Sequence, residues 1–243
     1  MAIYRGPIYN NVSEVQGGTG FYRIKTSLGT IPVFIDQDYD GGGWVMVLAN
    51  RGLTAGMNNL TYNNAVNTAN YRKNGTNNAT NDIADTSGRE LIRLGYDDVN
   101  AWIGLKYWSE LAGRVTANSI KVVQYVHTST VPLSGTHTFR SSWTTTGFSS
   151  TYGFQSVGNL TNIVGGVTPG FYSHANSGYS LTTFDNDQDT NGGNCSTYYN
   201  NNPWWYSSCW TGNYFAGGGY QDKPHWTGSS SGNAYNYGAV YIK

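Results

Sequence analysis

Between residue 170 and the closing GAVYIK the chain offers almost no aliphatic run. A stretch of roughly seventy residues with neither helical nor strand periodicity has no apolar face to bury, so a crosslink or a bound ion must supply its order. FDNDQDTNGGNC, residues 184–195, lies inside that stretch and sets Asp185, Asp187 and Asp189 at alternate positions, followed by Gly192, Gly193 and Cys195. A second cysteine, Cys209, follows after STYYNNNPWWYSS.

Each feature has a plain and a sharp reading. The acidic triplet is either a solvated loop or a calcium loop, since calcium takes six to eight oxygens from carboxylates, backbone carbonyls and water. An EF-hand is excluded because Thr190 and Asn191 follow the third aspartate where that loop needs its glycine. The cysteines are either buried thiols or a disulfide. They lack the partners of a zinc site, and closing ~15 residues contributes about 3 kcal/mol in the chain-entropy model. A disulfide implies maturation in an oxidising setting.

Only 12% of the 243 residues are charged, 14 basic against 14 acidic, while 15% are aromatic. Such a chain folds, with large rings in its core and Asn, Ser, Thr, Gly and Tyr over much of its surface. No Lys/Arg cluster marks a phosphate-binding stripe, so nucleic acid is not an expected partner. No apolar run approaches the ~20 residues of a membrane span, and MAIYRGPIYNNVSEV lacks the apolar core of a secretory signal. Membrane insertion is not expected.

Residues 1–18 read as a polar arm, a possible attachment segment, leading into one domain over residues 19–243. GFYRIKTSLGTIPVFID predicts a hairpin around a Leu-Gly turn, and GGGWVMVLANR a buried strand. Residues 52–82, rich in Asn, Thr and Ala, predict a long surface excursion. A helix is expected within residues 85–113, where Ser87 and Glu90 have capping-box spacing, with a second turn or helix over KYWSELAG. SIKVVQYVH and GAVYIK predict strands. THTFRSSWTTTGFSSTYGF reads equally as short strands or ordered loops.

TTFDNDQDTNGGNCSTYYNNNPWWYSSC resembles the signature of fibrinogen-like domains, the fold of the fibrinogen C-terminal regions and of the ficolin and tachylectin lectins. GFYRIK, DGGGWVMVLANR and AWIGLKYWSEL are similar to the family's upstream segments. The resemblance implies an α+β fold: a twisted, mainly antiparallel sheet, few short helices and a large loop-rich, calcium-binding C-terminal region. It implies Asp187 and Asp189 as side-chain ligands to Ca2+, Asn191 and Gly193 as carbonyl ligands, Asp185 in a supporting place, and a Cys195–Cys209 disulfide bordering a ligand pocket. It also implies a cis Ser208–Cys209 peptide. The sequence departs from the family at Trp210, where histidine is common, and in GNYFAGGGY, which echoes an Asn-Leu-Asn-Gly-x-Tyr run only loosely.

A sugar pocket needs flat apolar faces and a few oriented polar groups, which directs attention to Trp210, Tyr220, His225, Trp226 and Tyr235. Trp204 and Trp205 read as core filling. His127, His137, His174 and His225 are scattered, and no GxSxG, HExxH or Walker motif is present, so no enzyme is expected. The function expected is a non-enzymatic recognition domain for glycans or other cell-surface ligands. MAIYRGP is similar to the start of structural proteins of tailed phages, which implies a virion-surface site, in a tail, fibre tip or capsid decoration, among other virion proteins and as a possible homo-oligomer. A secreted ficolin-like defence lectin and a ligand-free virion ornament are the alternatives.

Overall fold

The computed structural model describes residues 6–50, 58–69, 71–74, 80–82, 99–113, 121–127, 139–151, 153–157, 161–164, 180–206, 208–209 and 237–243. The Ser87–Glu90 capping box lies outside them. Twelve strands form one sheet among the described residues. Its spine runs β1 (Ile8–Tyr9), β2 (Gly20–Thr26), β3 (Gly29–Asp36), β4 (Trp44–Asn50), β12 (Tyr237–Ile242), β8 (Lys121–His127), β9 (Phe139–Ser149) and β10 (Gly153–Val157). A branch off β4 carries β7 (Val99–Trp102), β5 (Tyr71–Asn74) and β6 (Thr80–Asp82), and β11 (Thr161–Val164) pairs with β9. Every pairing is antiparallel except β1 with β2.

The expected hairpin is β2–β3. Gly20, Tyr22, Ile24 and Thr26 are buried while Arg23 and Lys25 are exposed, the alternation of a strand with one face on a core. At the turn, Thr26 Oγ1 donates to the Gly29 carbonyl at 2.7 Å. In β4 every residue from Trp44 to Ala49 is buried, so this strand is covered on both faces. The final strand β12 lies between β4 and β8, pairing Val240 with both Leu48 and Gln124. The ambiguous Ser/Thr run resolves as β9 and β10. Its aromatics supply the strand-forming signal, and Phe148 stacks on Trp108 with ring centroids 5.7 Å apart.

Two readings change. Residues 58–69 are no surface excursion: they carry the helix α1 (Tyr62–Asn67), with Leu60, Ala65 and Val66 buried. Thr61 caps it, its hydroxyl accepting the Asn64 N–H at 3.2 Å. β5 and β6 follow within the same predicted excursion. The segment read as an arm is seated on the globe from Ile8 onward, by the β1–β2 pairing and by burial of Val12 and Val15.

Tryptophans fill the core. Trp102 lies 5.1 Å from Trp108, which begins the short helix α2 (Trp108–Leu111), and 6.2 Å from Trp205. Two of the indole donors find backbone carbonyls: Trp102 Nε1 donates to that of Ala65 at 2.8 Å and Trp108 Nε1 to that of Ile103 at 2.7 Å. No helix of the described residues is long and apolar enough to cross a membrane.

Gly153 is required by Trp205. Its φ is +82°, and a Cβ there would lie 2.5 Å from Cζ2 and Nε1 of that indole. Gly153→Ala should therefore destabilise the fold by about 2 kcal/mol or more, through a strained φ and overpacking of the core. Urea unfolding monitored by tryptophan fluorescence checks this, and an unchanged midpoint contradicts it.

Candidate metal loop and disulfide

The acidic loop is closed at its base by two backbone hydrogen bonds between buried residues, Thr182 N–H to Trp204 O at 2.8 Å and Trp204 N–H to Thr182 O at 3.0 Å. A second exchange between Thr183 and Asn186, at 2.9 and 3.1 Å, reverses the chain around Phe184 and Asp185. From there the alternate spacing of the acidic residues acquires a reason. Asp187 Oδ1 accepts the N–H of Asp189 at 3.2 Å, Asp189 Oδ1 that of Asn191 at 2.9 Å, and Asn191 Oδ1 that of Gly193 at 3.3 Å. An Asx side chain turns the backbone by holding the amide two residues on, so a run of such turns needs Asp or Asn at every second position.

The run ends at a helix. Asn194 Oδ1 accepts the Thr197 N–H at 3.3 Å and caps α3 (Cys195–Tyr198), while its Nδ2 donates back to the Thr183 carbonyl at 2.8 Å. Asp189 Oδ2 accepts the Cys195 N–H at 2.8 Å. Cys195 and Cys209 form the expected disulfide, with Cα atoms 5.0 Å apart, and Asn191 Nδ2 reaches Cys209 Sγ at 3.2 Å. The loop and the disulfide are therefore one hydrogen-bonded unit.

Asp185 plays a different part. Its Oδ1 accepts the Tyr62 N–H at 2.9 Å and the Thr183 hydroxyl at 2.7 Å, joining the loop to the first turn of α1. A second joint lies nearby, where Asn59 N–H donates to the Asn201 carbonyl at 3.0 Å and Asn201 Nδ2 to Asn59 Oδ1 at 2.8 Å. Asn200 and Asn201 both have φ of +57°, a left-handed conformation asparagine tolerates better than most residues.

Burial pushes the Asp189 carboxyl above its ordinary pKa, and the neighbouring Asp187 charge adds to the rise, although the amides of Cys195 and Asn191 offset part of it. Two adjacent carboxylates of this kind are stabilised by a cation between them. Among the described residues no group of three His, Cys, Asp or Glu side chains is placed to hold a metal, and an ion held by Asp187 and Asp189 alone would need backbone carbonyls and water for its remaining oxygens. The carbonyls of Asn191 and Gly193 accept no hydrogen bond among the described residues. The two carboxylates and the two carbonyls without a hydrogen-bond donor are oxygen atoms of the kind calcium takes.

Trp204 and Trp205 are fully buried, as core residues. Trp210, Tyr220, His225, Trp226 and Tyr235 lie outside the described residues, as do His137 and His174. The expected cis peptide is corrected: no peptide bond among the described residues is cis, Ser208–Cys209 included. The backbone instead takes a left-handed φ of +74° at Cys209, which changes the chain direction within one residue. Sequence reasoning passed over Tyr198, 64% exposed on α3. Its hydroxyl covers Gly193, where a Cβ would lie only 2.5 Å from it. The signal was the tyrosine pair in STYYNNN, of which one ring faces inward and one outward.

Comparison with known proteins agrees with this geometry. The fold is similar to the fibrinogen-like globe domain of human ANGPTL6, with TM-score 0.64 and 20% identity over 100% of this chain and 97% of that one. It is also similar to the fibrinogen-like globe domain of human ANGPTL2, with TM-score 0.58 and 19% identity over 98% and 99%. Residues 137–237 match the family model of the fibrinogen beta and gamma chains, C-terminal globular domain. That span contains the acidic loop and both cysteines. No curated protein sequence matches the chain. The protein has the α+β fibrinogen-like globe fold.

Removing the Asp185 carboxylate should release the loop from α1. Asp185→Ala is expected to speed hydrogen exchange of the Tyr62 amide at least tenfold and to cost about 1–3 kcal/mol of stability. Unchanged protection at Tyr62 by NMR contradicts this joint.

Proposed function

We propose that the chain is a non-enzymatic, calcium-stabilised recognition domain displayed on a virion surface, where it binds host-surface glycans. The observation that carries this reading is the loop itself, with Asp187 and Asp189 side by side and the Asn191 and Gly193 carbonyls open in a segment sewn to a disulfide. When bound, calcium supplies the positive charge that offsets the repulsion between the two carboxylates. The chain's own residues do the rest. Asp189 holds the amides of Asn191 and Cys195, Asp185 fixes the loop to α1, and the Thr182–Trp204 exchange fixes its base to the core.

The ligand-contacting residues in this proposal are Trp210, Tyr220, His225, Trp226 and Tyr235, which follow Cys209 in sequence. Polar residues with aromatic rings among them suit a sugar, whose faces are apolar and whose edges hydrogen-bond. Placement on a virion rests on the MAIYRGP opening, with other virion proteins as partners and multiple display compensating for weak single-site affinity.

Titration calorimetry should detect a calcium site that Asp187→Asn or Asp189→Asn weakens by at least tenfold. Calcium at about a hundred times its Kd should stabilise the wild type by about 2.7 kcal/mol, an effect reversed by chelation. No calcium dependence of unfolding in the wild type contradicts the metal assignment. A glycan array probed with and without chelator then tests recognition. Binding lost on chelation supports it, and a folded, calcium-loaded protein that binds no glycan favours an architectural ornament. Mass spectrometry of purified virions tests the location, and absence of the chain there favours a secreted lectin.

A further inference from the structure

A cavity of about 560 Å³, within the usual range for small-molecule sites, opens where β1, β2, α2 and the end of β12 converge. It shares no residue with the acidic loop. The parallel register Ile8 with Arg23 and Tyr9 with Ile24 brings Asn10 alongside Lys25, and both line the cavity. Ile242 pairs with Val45 in the β12–β4 register, so Lys243 follows at the rim beside Gly43. Buried Val12 and Leu111 contribute an apolar floor.

The charges within the cavity are unequal in availability. Glu110 is the one carboxylate side chain among the described lining residues, and both oxygens are engaged: Oε2 accepts the Ser27 N–H at 2.7 Å and Oε1 the Ser27 hydroxyl. The Glu14 carboxylate, on the neighbouring 3-10 turn Val12–Glu14, is likewise engaged, accepting the Asn10 N–H and the Asn11 amide at 2.9 Å each. Lys243 is held in place, its Nζ 5.8 Å from the Trp44 ring centroid and donating to the Asp40 carbonyl at 3.3 Å. An ammonium has three donors, so two remain. The Lys25 ammonium forms no ion pair or hydrogen bond among the described residues.

We propose that this cavity is a second binding site, for a sugar residue carrying a carboxylate or phosphate. Lys25 receives the anion, Lys243 adds positive charge at the rim, Asn10 and Ser13 meet hydroxyls, and Val12 with Leu111 meets the apolar face of the ring. Apolar surface with a few placed polar groups is the composition such a ligand requires. The Glu110–Ser27 joint, by tying α2 to the β2–β3 turn, holds the wall in position before a ligand arrives.

The test is an NMR titration of the calcium-loaded protein with three probes: trigalacturonate, galactose 6-phosphate and the neutral galactose trisaccharide. At least one anionic probe should shift the amides of Lys25, Gly43 and Gly113, and the neutral one should not. Lys25→Gln should weaken that binding about tenfold, as expected for a hydrogen bond to a charged group, and Lys25→Arg should retain most of it. Chelating calcium should leave it unchanged, which separates failure here from failure of the calcium-loop reading. The proposal is overturned if neither anionic probe shifts these amides, if the shifts fall instead on residues 184–195, if the neutral trisaccharide binds equally well, or if Lys25→Gln binds as wild type.

Discussion

The contact between Trp205 and Trp102 is what makes the acidic loop and the sheet a single body. Trp102 ends β7, which pairs with β4, and its indole is tethered to the Ala65 carbonyl of α1. Trp205 follows directly on the Trp204 backbone that closes the loop. Burying large aromatic side chains at this junction gives a loop with almost no aliphatic residues the apolar anchor it lacks, worth several kcal/mol by area alone. Gly153 yields the space for the indole, so β10 is shaped by the same contact.

Given that anchor, the loop is ordered by polar bonds that are nearly all local. Asx turns at Asp187, Asp189 and Asn191 hold amides two residues on, and Asn194 both caps α3 and reaches back to Thr183. Turns of this kind fix the backbone without a core but leave the acidic groups crowded, which adds to the rise that burial gives the Asp189 pKa. The disulfide and the joints to α1 oppose the resulting tendency to open. Cys195 serves both ends of this balance, since its amide binds Asp189 and its sulfur binds Cys209.

Legibility from sequence followed the physical origin of each element. The β2–β3 hairpin and β4 were readable because burial on one or both faces writes period-2 alternation or a continuous apolar run into the sequence. The Cys195–Cys209 pairing was legible because two cysteines that close a short loop without the partners of a zinc site favour a disulfide, whereas the Asx turns that account for the alternate spacing were not read. α1 was illegible: within YNNAVN only Ala65 and Val66 are buried, too few to mark a helical face, and its position is set by Asp185 more than a hundred residues away. The same distance hid the role of Asp185, because nothing in FDNDQD distinguishes a carboxylate that joins two segments from one that faces a cation. The trans Ser208–Cys209 peptide was equally unreadable, since a left-handed φ at Cys209 solves the same directional problem.

Low charge density is the thread between the loop and the cavity beside β1. With 28 ionisable Asp, Glu, Lys and Arg side chains in 243 residues, unbalanced charges are few, and most of those described are tied down. Asp36 holds the amides of Asp38 and Tyr39, Glu110 holds Ser27, and Glu14 holds Asn10 and Asn11. An acidic side chain spent on backbone amides shapes a turn and has less field left to repel an anionic ligand. Asp187 departs from that pattern through its crowding with Asp189, and the Lys25 ammonium through having no partner among the described residues. Such residues would weigh most in any discrimination among ions and polar ligands, because a charge already neutralised within the protein offers a ligand little differential binding energy.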